Sequence, residues 1–263
     1  MNGEVPILRK ELLTEENHIS VRGDIYYKSK YSETNSYNEY LDISTGAMYG
    51  ITNLWELGFF TGGNIEIERE KKIESISYEE NYNFSNFAIN SSYQIKKENI
   101  PLVVFGSIFL IENDRFPDRS VRDRSDIVYQ YKLLYLKTLS VGFSTIIVKE
   151  PVAFGFQVAY KAALERKIDF NVVDPGDSLL VLTKANFLVN PEIRFEWGFK
   201  WQYYQPTVIN TKVSNVGGTE IAWLMAASIQ FYDNWNITVK LEKSFTESNS
   251  SVIACSLIRD IKW

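Results

Sequence analysis

Cysteine and histidine are nearly missing from this chain: Cys255 and His18 are the only ones among 263 residues. A single cysteine excludes an intrachain disulfide, and the two together cannot build a histidine–cysteine zinc cluster. A serine–histidine triad would have to recruit His18, close to the start of the chain. Basic residues are also short: 28 Lys and Arg stand against 33 Asp and Glu, and a net charge of −5 argues against a binder of nucleic-acid backbones. No run of 18 apolar residues occurs, the longest lipid-like stretch being AWLMAA at 222–227, so no helical membrane span is expected. Walker, GxGxxG, HExxH and CxxC motifs are absent, as are low-complexity tracts and clear linkers. The opening MNGEVPILRK lacks the basic and then apolar regions of a secretory signal. From these absences we expect no cofactor, no metal, no nucleic-acid partner and no enzymatic activity.

What the chain does have is aromatic alternation. Its 16 Tyr and 16 Phe suit strands and interfaces better than helices. In EIRFEWGFKWQYY, 192–204, the odd positions Ile193, Phe195, Trp197, Phe199, Trp201 and Tyr203 alternate with Arg194, Glu196, Gly198, Lys200 and Gln202. A strand repeats its side-chain direction every two residues, so one face is an apolar wall and the other is charged or small. Leu41, Ile43, Thr45, Ala47, Tyr49 and Ile51 repeat the pattern, as do Phe87, Ile89, Tyr93 and Ile95, and Ile221, Trp223, Met225, Ile229 and Phe231. The opposite face in each case is rich in Gly, Ala, Ser and ionisable groups, which suits a wet interior and not a dry core.

Turn formers divide the chain into twelve such segments: 18–31, 39–51, 54–68, 81–95, 100–112, 130–148, 152–165, 177–189, 192–204, 218–232, 235–246 and 251–263. Short turns near 52–53, 96–99, 149–151, 190–191 and 233–234 alternate with polar loops at 32–38, 69–80, 113–129, 166–176, 205–217 and 247–250. An even number of two-faced strands with alternating short and long connections predicts an all-β, transmembrane antiparallel β-barrel of 12 strands in the bacterial outer membrane. Closure is required, since an open edge in hydrocarbon leaves backbone groups unpaired. Residues 1–17 then form a periplasmic leader and 18–263 the barrel, with short turns periplasmic and long loops outside. Trp55, Trp197, Trp201, Trp223 and Trp235 suit the interfacial girdles.

The chain ends SSVIACSLIRDIKW, with Ile253, Cys255, Leu257, Ile261 and Trp263 on one face. A last strand ending on an aromatic residue resembles the signal read by the barrel-assembly machinery, which is an expected partner alongside membrane lipid. Arg259 shares that face and is expected to snorkel to the headgroups. Further motifs carry a family likeness. VDPGDSLLVLTKANFLVNPEIRFEWGF at 172–198, VKEPVAFGFQVAYKAALE at 148–165 and IPLVVFGSIFLIENDRFPDRS at 100–120 resemble the outer-membrane transporter family named for meta-pathway phenol degradation. The opening RKELLTEENHISVRGDIYYKSKYS and NLWELGFFTG resemble its first strands. The last hairpin departs from the family, with SFTESNSS before a strand ending Lys-Trp. The resemblance implies a twelve-stranded barrel related to transporters of aromatic compounds and to an exporter of functional-amyloid subunits, and no enzymatic activity despite the family name.

Three functions follow from such a barrel. The leading expectation is a channel or transporter passing small aromatic or hydrophobic solutes by passive diffusion. Its selectivity would be set by the inward groups Arg22, Asp24, Asp42, Glu56, Arg194, Glu196, Lys200, Glu220, Lys240 and Glu242. Mixed signs argue against strong ion selectivity, and inward charges also pair simply to stiffen a wet barrel. The alternatives are an exporter of a secreted polypeptide and a plugged, non-conducting structural or binding barrel. A plug would come from residues 1–17 or from loop 113–129, whose Asp114, Arg115, Asp118, Arg119, Arg122, Asp123 and Arg124 form a run of opposite-charge pairs.

Overall fold

The structure, a computed structural model, describes residues 13–31, 36–72, 75–96, 100–112, 136–168, 171–190, 192–231, 235–246 and 250–262. Loop 113–129, with all seven of its candidate plug residues, lies outside them, as do residues 1–12 and Trp263.

Among the described residues sixteen strands form. They are β1 (His18–Tyr31), β2 (Ser36–Thr52), β3 (Trp55–Lys72), β4 (Ser75–Lys96), β5 (Leu102–Glu112), β6 (Thr138–Lys149), β7 (Val152–Ala163), β8 (Arg166–Ile168), β9 (Asn171–Asp174), β10 (Ser178–Leu188), β11 (Ile193–Tyr204), β12 (Thr207–Ile209), β13 (Lys212–Asn215), β14 (Gly218–Phe231), β15 (Trp235–Ser244) and β16 (Ser251–Lys262). Twelve close into one antiparallel barrel in the order β1-β16-β15-β14-β11-β10-β7-β6-β5-β4-β3-β2. The seam between first and last strands runs from His18 opposite Lys262 to Ser29 opposite Ser251, so the barrel starts and finishes at its short-turn end.

The burial pattern is inverted relative to a water-soluble protein. Phe195 and Trp197 are 50 % and 44 % exposed, while Arg194 and Glu196, which alternate with them, are 7 % and 9 % exposed. Ile25, Ile43, Phe59, Ile89, Val141, Phe154, Met225, Val239 and Ile253 also stand outward, and Asp24, Glu56, Gln94, Asn186, Ser228 and Ser256 are buried. Backbone closure satisfies the amides of the wall, and the outward apolar belt removes the need for a second sheet. A small apolar cluster of Ile146, Ala153 and Leu188 lines the inner wall near the short-turn end.

Three connections differ from the sequence expectation. The loops expected at 166–176 and 205–217 instead hold β8, β9, β12 and β13, a separate four-stranded sheet in the order β13-β12-β9-β8. Most of the expected loop 69–80 is a continuing β3–β4 ladder, paired out to Lys72 opposite Ser75. The sixth barrel strand is described from Thr138, and residues 130–135 of the expected segment lie outside the described residues.

Candidate functional site

All ten candidates belong to the barrel strands, and Asp24, Glu56, Arg194 and Glu196 among them are buried. On β1, Arg22 and Asp24 are two residues apart and share a face, so the guanidinium folds along its own strand. Its Nε donates to both carboxylate oxygens at 2.8 Å. Ser256, opposite Asp24 across the seam, also donates to that carboxylate. Across the barrel, Lys200 of β11 reaches past β14 to Glu242 on β15, and lies 3.3 Å from Glu220. On the intervening strand Ala222 stands opposite Lys200 and Leu224 opposite Glu242, and both are fully buried.

Glu196 pairs with Lys184 of β10 at 3.2 Å. Arg194 donates to the Ser228 hydroxyl at 3.1 Å, and Ser228 in turn meets Thr238 at 2.8 Å. Asp42 stands opposite Tyr26 in register. Lys240 makes no ion pair or hydrogen bond among the described residues; its cross-strand neighbours, Ala226 and Ala254, carry only methyl groups.

Lys184, Tyr26, Ser228 and Ser256 belong to the same interior, yet sequence reading did not select them. Strand β10, SLLVLTKANFL, is apolar on both faces, so parity alone did not identify its inward side. A single lysine in such a strand was the available signal.

At the short-turn end, residues 13–17 are bonded to the barrel. Thr14 N–H donates to the Glu56 carboxylate at 2.7 Å, Asn17 N–H donates to the Gly50 carbonyl at 2.9 Å, and Asn53 donates to Glu16 at 3.0 Å. Glu16 and Gly50 form a parallel bridge. A Cβ at Gly50 would collide with the Glu15 carbonyl, so only glycine admits this approach. His18 Nδ1 lies 3.3 Å from the Glu15 carboxylate, and it is engaged in this local turn.

Beyond the mouth lie two cavities. One, of about 420 Å³, touches Leu13, Thr14, Glu56, Phe60 and Phe105. The other, of about 370 Å³, touches Tyr26, Lys184, Arg194, Glu196 and Lys240. Ser20, Arg22 and Ile258 line both, so the two adjoin at the Arg22 level. The Phe60 and Phe105 rings lie over Gly46 and Gly142, which keeps each ring against the wall and out of the bore.

No protein-family model matches the chain, and no curated protein matches it. Solved structures do. An outer-membrane channel from Pseudomonas putida F1 superposes with a TM-score of 0.64 at 11 % identity, covering 92 % of this chain and 95 % of that one. The β domain of the Bordetella autotransporter BrkA gives 0.54 at 7 % identity over 94 % and 100 % of the two chains. The transport unit of the Escherichia coli autotransporter AIDA-I gives 0.51 at 11 % identity over 93 % and 90 %. What they share with this chain is its fold, the closed antiparallel β-barrel of the bacterial outer membrane.

Proposed function

We propose that this barrel is a channel through which small solutes cross the outer membrane by passive diffusion. The adjoining polar cavities that meet at Arg22 carry the reading, because they line the barrel interior with ionisable groups in place of a packed core. The solved outer-membrane channel of the same fold supports it. The sequence likeness to the phenol-degradation family favours aromatic or hydrophobic solutes. Cavities of about 370 and 420 Å³ suit a small molecule better than a polypeptide in transit, which needs a wider bore. In the proposed orientation the short-turn end is periplasmic and the leader enters from that side.

Purified protein in a planar bilayer is expected to give stepwise conductance. Replacing Arg194 and Glu196 together by Ala is expected to move ion selectivity more than stability, because the field along the path changes while the outer wall does not. A second reading, a closed barrel, is favoured by the Thr14–Glu56 and Asn17–Gly50 bonds that hold the leader in the mouth. Silence that persists after residues 1–17, and separately part of loop 113–129, are deleted would favour a structural or binding barrel over a channel.

A further inference from the structure

We infer that the interior cavity beside Lys240 binds a small organic anion through its carboxylate. The inference rests on the channel reading to the extent that a solute must enter the lumen to meet this residue.

The mixed charges of the interior are not equally available. Asp24 is committed to Arg22 and Ser256. Glu196 is held by Lys184, and Glu242 by Lys200. Lys184 and Lys200 act on the Lys240 ammonium as like charges, and Glu196 and Glu242 as opposite ones. Both nearby carboxylates are therefore taken by other lysines, and Lys240 has no ion pair among the described residues. Ala226 and Ala254, its buried neighbours in register, leave room for a ligand where longer side chains would fill the space. A carboxylate placed there gains a charge-assisted hydrogen bond and relieves the crowding of like charges.

The wall is not uniformly polar. Tyr26 and Ile258 line the same cavity, which gives an organic body something to pack against and a bare inorganic ion nothing. A volume of about 370 Å³ lies at the small end of ligand pockets, roughly 300–1,000 Å³, and admits a single-ring acid.

The probe is benzoate, titrated calorimetrically into the full folded chain in detergent, with benzyl alcohol as its neutral counterpart. Wild type is expected to bind benzoate saturably and benzyl alcohol not at all. Lys240→Gln is expected to weaken benzoate by about tenfold or more, whereas Lys240→Arg and the outward Lys243→Gln retain it. If the Gln variant fails to assemble, Lys240→Met removes the charge with an unbranched apolar side chain one atom shorter. Equal benzoate affinity in wild type and the charge-free variant, equal binding of benzyl alcohol, or displacement by equimolar chloride would each overturn the inference. Current recordings separate it from the channel reading. Benzoate binding lost in Lys240→Gln, with no current through wild type, keeps the site and removes the channel. Current with no Lys240-dependent benzoate binding keeps the channel and removes the site.

Discussion

Glu196 and Trp197 are chain neighbours that meet opposite surroundings, the first inside beside Lys184 and the second outside in the apolar belt. A charge forced onto the outward position has no partner in hydrocarbon. Trp197→Arg is therefore expected to cost about 2–4 kcal/mol near the bilayer midplane. Urea unfolding from lipid vesicles measures it, and Tyr203→Arg, near the loop end of the same strand, should cost less. Gly50 offers a test of a different kind. Gly50→Ala places a methyl against the Glu15 carbonyl while the β2–β3 pairing around it remains. The expected result is a barrel of nearly unchanged stability whose segment 13–17 is released from the mouth, read as faster proteolysis within the leader.

Among the elements, the four-stranded sheet outside the barrel is where local sequence and structure diverge. Its β12–β13 hairpin turns through Asn210 and Thr211, both with positive φ, 48° and 69°. Two-residue turns of this kind need that conformation because it matches the twist of the strands. Asn210 suits it and adds side-chain bonds, accepting from Val172 N–H at 2.8 Å and donating to Asn171 at 2.5 Å. Thr211 is β-branched and suits it poorly. Asn210→Val should raise amide exchange across 207–215, and Thr211→Gly should lower it by relieving about 1–2 kcal/mol of left-handed strain. Thermal unfolding of the barrel itself should be little changed by either, since the two sheets are separate.

For the whole molecule, closure decides what an inward charge is. On an open sheet Arg194, Lys200 and Glu242 would be solvated surface groups; in a closed barrel Lys200 crosses a neighbouring strand to reach Glu242. Ala222 stands opposite Lys200, so Ala222→Leu is expected to crowd the ammonium, weaken the bridge and alter conductance, as recorded in single-channel traces. Deleting residues 1–17 removes Thr14 from Glu56 and is expected to raise conductance through the turn-side mouth. The two changes act at different places along the bore, so their effects on current should combine without strong coupling.

The alternation in 192–204 was by itself enough to assign the faces of β11, because a two-residue period leaves only one way to turn six apolar side chains toward lipid. The same periodicity, with the turn residues, determined twelve barrel strands. Pairing was beyond its reach. Lys184 and Glu196 are 12 residues apart and Lys200 and Glu242 are 42 apart, so they meet only through strand order and register. The second sheet was illegible for a related reason: three- and four-residue strands such as β8 and β9 are too short to show a period. Tertiary structure likewise decided that Lys240 stands between alanines with the neighbouring acids already taken, because availability of a charge belongs to its surroundings and not to its residue type.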